Sequence, residues 1–121
     1  MSPTDLSLKM RLLAHDDLGG FGNCGEGMVI QLARDGRRVL WLAHESAPKN
    51  VTAVDVSDPR KPSVILQTEL PHAQMRSNSL DLAGDLLVVA YQTSKVGLQP
   101  AGFEISSSST WKIRVAPPGI T

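Results

Sequence analysis

Cysteine is almost absent from this chain. Cys24 is the only one among 121 residues, so no internal disulfide forms and no Cys-based metal cluster can be assembled. Aromatic side chains make up only 4%, which leaves Val, Ile, Leu, Met and Ala to build the core. Neither sign of charge is in excess, with 12 Lys plus Arg against 12 Asp plus Glu. That balance gives no electrostatic footprint for a nucleic-acid backbone or an anionic membrane, so neither is expected as a partner. Apolar runs of about 18 residues are missing, and the opening "MSPTDLSLKMRLLAHDD" has no apolar segment behind a basic start. A cytoplasmic address is the expectation. What remains is a globular composition for one domain, 41% hydrophobic and 20% charged.

From Gly25 onward the segments are short and bounded by turn residues, the signature of strands and hairpins. "MVIQLA" (residues 28–33) alternates around Gln31, "RDG" (34–36) supplies an Asp-Gly turn, and "RRVLWLAHE" (37–45) resumes an apolar run. This is one hairpin. "SAPKN" (46–50) is a second turn, and "VTAVDVS" (51–57) is β-branched and alternating. "DPRKP" (58–62) cannot continue a central strand, because two prolines remove ladder donors. "SVILQTEL" (63–70) makes the fourth strand. Four antiparallel strands in about forty residues form one blade-sized sheet. The fold class expected is therefore all-β, built of antiparallel blades.

A second copy of the unit follows. "SLDLAGDLLVVAYQT" (79–93) aligns with "VIQLARDGRRVLWLAHE", each placing a strand that ends in Leu-Ala, a turn with Gly and Asp, and an apolar strand. "GFEI" (102–105) then falls where "VTAV" stood. At "AVDVSDPRKP" (53–62), flanked by apolar strands, the sequence resembles an LVIVD repeat, a unit of roughly forty residues found in tandem. The resemblance covers residues 25–105 and implies a β-propeller. It implies a structural role for the turn residues Asp55, Asp58, Pro59 and Pro62 and carries no catalytic assignment. Asp58 is suited to bonding its own downstream amides, Pro59 presets φ, and Pro62 blocks premature pairing.

The organisation expected is a lead-in over 1–24, a first blade over 25–70, a partial second blade over 71–105 and a disordered tail over 106–121. A closed propeller needs at least about four blades, so the ring is expected to be incomplete, with open edges prone to self-association. The tail "SSSSTWKIRVAPPGIT" has a reading in another frame. With GC-rich codons, reading from the third base of each codon from Ser106 gives "VVVDVEDPRRPP", which matches "VTAVDVSDPRKPS" in register. The Trp codon ends in G and every Lys codon begins AA, so Trp111-Lys112 forces a Glu in that frame whatever the codon choice. The tail is therefore expected to be an out-of-frame translation of the second blade's turn segment.

For chemistry, His15, His44 and His72 are expected in or beside loops with Asp16 nearby. Imidazoles and loop carboxylates are the raw material of a divalent metal site. No pair has i, i+2 or i, i+4 spacing, so the spacing does not support one, and ordinary loop or strand-end histidines are the preferred reading. "GGFGNCGEG" (19–27) has neither a Gly-x-Gly-x-x-Gly pattern nor a Walker lysine and reads as a connector. Cys24 has no basic neighbour there to activate it. Arg76 and Asn78 are expected in the crossover loop between the blades. No cofactor, ligand or partner is named by these residues. A binding or scaffold module is the leading reading, with a truncated metal-dependent propeller enzyme, a hydrolase, lyase or oxidoreductase, as the alternative.

Overall fold

A computed structural model describes residues 9–107. It is all-β, with seven strands: β1 (Cys24–Leu32), β2 (Arg38–His44), β3 (Lys49–Asp55), β4 (Ser63–Glu69), β5 (Met75–Ala83), β6 (Leu86–Thr93) and β7 (Gly102–Ser107). The first four form an antiparallel sheet in the order β1-β2-β3-β4, and the last three a second in the order β5-β6-β7. The two sheets pack face to face. β5 lies along β1 and reaches β2 and β3.

Period-two alternation decides which residues meet between the sheets. On β2, Val39, Trp41 and Ala43 are buried while Leu40 and Leu42 on the opposite face are half-buried. On β6, Leu87 and Val89 are buried while Val88 is half-buried and Ala90 exposed on the opposite face. Together with Val51, Ala53 and Leu80 these residues make the core. Burying a side chain such as Leu87 completely is worth about 1.5–3 kcal/mol, so this shared face dominates the packing energy. Aromatic content is low, yet the largest core side chain is Trp41, because Ala53 directly across the sheet leaves room for an indole.

Several expected boundaries shift. β1 begins at Cys24, so the glycine-rich stretch expected as a connector supplies strand residues, and only Leu18–Gly20 forms a short 3-10 turn. Gly27 explains the shift. A Cβ there would stand 2.7 Å from the amide nitrogen of Leu80 and 2.9 Å from the Cα of Ser79, so β5 approaches at a distance only glycine permits. Leu18 is 4% exposed and adopts φ 58°. Its amide donates to Asp16 Oδ1 at 2.7 Å and its carbonyl accepts from Gln67 Nε2 at 2.9 Å, which clips the lead-in onto the first sheet.

Arg76 and Asn78 lie on β5 rather than in a crossover loop, which spans only the residues between Glu69 and Met75. β7 runs through Ser106 and Ser107, opposite Leu87 and Leu86, two residues past the expected end of the second repeat. The remainder of the tail reading, residues 108–121, lies outside the described residues.

Gln31 links the two sheets. Its Oε1 accepts from Trp41 Nε1 at 3.0 Å and its Nε2 donates to the Gly84 carbonyl at 3.3 Å. Replacing a buried hydrogen-bonding partner costs about 1–3 kcal/mol. Gln31→Ala is expected to lower unfolding free energy by that amount in a urea titration. An unchanged midpoint would show that the bond within the first sheet and the bond across to the second do not stabilise the packing.

Candidate functional site

The two sheets bring polar groups together in two places, one inside the sheet pair and one on its surface. Inside, the β2–β3 hairpin is tied to β5 by Ser77, which is fully buried. The His44 amide donates to Ser77 Oγ at 3.1 Å, and Ser77 Oγ donates to the Asn50 carbonyl. Asn50 Nδ2 then donates to the Tyr91 hydroxyl at 3.0 Å. Both hairpin ends are thereby pinned to the second sheet.

His44 is not at a loop. It closes β2, is fully buried, and its Nε2 lies 2.7 Å from Thr52 Oγ1, while its Nδ1 has no hydrogen-bond partner. Burial first, and then the Lys49 ammonium, push its pKa below the usual histidine value. The Tyr91 hydroxyl is pushed up to about 12, chiefly by burial and next by its hydrogen bond to the Glu104 carboxylate. Burial also raises Cys24, so its thiol is further from a reactive thiolate than an exposed one. A sealed imidazole beside a threonine has no route to a substrate, so this chain of bonds fixes structure.

The surface feature is an open cleft of about 340 Å³ where the β2–β3 loop, the start of β5 and the end of β6 converge. Glu45, Ser46, Gln74, Arg76, Gln92 and Thr93 are among its walls. Arg76 crosses it, donating from Nε to Gln92 Oε1 at 2.8 Å and lying 3.6 Å from Glu45 Oε1 through Nη1. Its guanidinium is half-buried and already matched by polar partners, so an entering ligand must replace them. The sequence singles out Arg76, and Glu45 only as a carboxylate near the histidines, but not Gln92, because a cross-strand pair is visible only once β5 and β6 are in register.

The four residues considered for metal binding are not gathered. His15 is exposed in the lead-in, Asp16 accepts the Leu18 amide, and His44 is sealed against Thr52. The His72 ring lies 2.7 Å from the Gln99 carbonyl and accepts the Gln74 amide at Nδ1. Among the described residues no three of His, Cys, Asp and Glu are placed to hold a metal ion. The turn residues make local bonds: Asp58 Oδ1 accepts the Arg60 amide at 3.0 Å, and Asp55 Oδ1 accepts the Ser57 amide at 2.9 Å. Ser57, through its hydroxyl and then its amide, holds the Asp55 carboxyl below the usual range. Pro59 is exposed and Pro62 half-buried in the same turn.

The lowered His44 pKa sets the sign of a pH effect. The unfolded chain takes up a proton near 6.5 while the folded chain resists it, so stability is intact above that value and lost as pH falls below it. Melting temperature is expected to drop between pH 7 and pH 5.5, and His44→Gln should flatten that slope. An equal slope in the variant would remove His44 from the account.

Compared with known proteins, the chain matches no family model, no curated protein and no solved structure.

Proposed function

We propose that the chain is a pair of propeller-type blades of the LVIVD-repeat kind, acting as a binding or scaffold module rather than as an enzyme. The observation that supports this reading most is the placement of the repeat. Leu32-Ala33 and Leu82-Ala83, matched in sequence, both lie where the first strand of their sheet ends, at Leu32 and at Ala83, and those two first strands lie side by side. Adjacent blades in a propeller stack in this manner, innermost strand beside innermost strand. The Asp-Pro turn between β3 and β4 contributes local hydrogen bonds of the kind the repeat signature calls for.

The functional half of the reading rests on the chemistry of the polar groups. The buried His44–Thr52 and Ser77–Asn50 contacts join strand to strand, and the cleft at Arg76 offers hydrogen bonds and charge of both signs without a nucleophile–base pair. Such a surface recognises polar groups on a partner.

Metal analysis separates this reading from a metal-dependent enzyme. Protein purified without chelators, and again after incubation with zinc, manganese or calcium, is expected to hold far less than one ion per chain after buffer exchange. One ion per chain, lost in His72→Ala and in His15→Ala, would replace the scaffold reading with the enzymatic one. Those two histidines are partly or fully exposed, so their removal leaves the fold readable.

A further inference from the structure

The outer faces are apolar and open along β1 in the first sheet and along β6 and β7 in the second, whereas Thr52 and Val54 on the outer face of β3 are buried. On the first, Met28, Ile30 and Leu32 are 66%, 62% and 73% exposed. On the second, Leu86, Phe103 and Ile105 are 46%, 65% and 58% exposed. Apolar patches of this sort on adjacent strands mark contact surfaces.

The repeat identifies what fits them. Ile30 and Leu32 occupy the positions that Leu80 and Leu82 occupy in the second copy, and Leu80 and Leu82 pack against the first sheet. Along β1 the outer face of the first sheet thus repeats the β5 positions by which the second sheet already docks, with Arg38 standing where the second sheet has Leu87. The converse also holds. Val39 and Trp41, which the first sheet turns toward the second, correspond to Val88 and Ala90. Trp41 stands opposite Ala53, and Ala90 stands opposite Phe103, so each face carries one aromatic ring beside one alanine with the strands exchanged.

Charge agrees with this pairing. Within the chain, Gln31 reaches the Gly84 carbonyl. The matching positions are Asp81 and Arg34, an acid and a base, both exposed, and Arg34 Nε is already paired with Asp85 Oδ2 of its own chain. A second copy stacked in the same geometry brings Asp81 of one chain to Arg34 of the other.

We propose that the outer face of β5-β6-β7 docks on the outer face of β1-β2 in a second copy of this chain, repeating the internal sheet packing head to tail. The proposal rests on the blade reading above. The interface is heterologous, so it closes into a ring if the rotation allows and otherwise extends. With two blades per chain, a closed ring takes about two to four copies. β5 has no glycine where β1 has Gly25 and Gly27, so backbones between copies stay further apart and association is weaker than the internal packing.

Sedimentation velocity over a hundredfold concentration range is the test, with Ile30→Arg blocking one face and Phe103→Arg the other. Wild type is expected to grow from monomer to a discrete oligomer. Each variant alone should remain monomeric, and an equimolar mixture should form a one-to-one dimer that grows no further, because each variant retains the face the other lacks. A wild type that stays monomeric overturns the proposal, as does Ile30→Arg self-associating while Phe103→Arg does not, which would indicate like-face pairing. Amide exchange distinguishes this failure from failure of the blade reading. Slow exchange along β1 and β5 in a monomer leaves the internal packing standing, and fast exchange there removes both.

Discussion

The approach of β5 to β1 at Gly27 governs the arrangement of the rest. Two sheets joined by a short crossover can pack at a range of separations, and the side chains between them set the usual spacing at about 10 Å. Here the first strands come closer, because glycine leaves no Cβ to meet the Leu80 amide and the Ser79 backbone. Only at that separation does the Gln31 amide reach the Gly84 carbonyl, and only then does Ser77 reach both ends of the β2–β3 hairpin. These polar contacts are short-range and directional, so they report the separation that Gly27 allows. The apolar core supplies the attraction, while the glycine and the hydrogen bonds define the geometry.

Strand placement was legible because turn chemistry punctuates this chain. The Asp-Gly turn at Gly36, the prolines of the 58–62 turn and the alternation on β2 locate β2 and β4 almost residue by residue, while β1 and β3 start earlier than read. The matching pattern around Gly84 and Asp85 locates β6 and the end of β5, while the first four residues of β5 read as crossover loop. Glycines in the 19–27 stretch misled for a physical reason. A glycine that permits flexibility and one that permits a close backbone contact look alike in sequence, and Gly27 is of the second kind.

The site was less legible. Long-range polar pairs depend on register and sheet packing, which a single chain read linearly does not display. His44 sits between an alanine and a glutamate before a turn, so it reads as a strand-end residue near solvent, yet it is fully buried. Gln31 reads in the sequence only as the polar position of an alternating strand. A polar residue inside an alternating apolar strand must either face solvent or find partners, and here it finds Trp41 and Gly84.

The central claim is that a close glycine contact sets the packing of the two sheets, and a pair of alanine substitutions on β1 tests it most directly. At Gly25 a Cβ would meet its nearest atom, the Asn78 carbonyl oxygen, at 3.4 Å, an ordinary contact, whereas at Gly27 it would collide with backbone. Chemical denaturation is expected to show Gly27→Ala losing about 1–3 kcal/mol, the usual range for an overpacked position, with Gly25→Ala close to wild type. Equal stability of Gly27→Ala and Gly25→Ala would contradict the account.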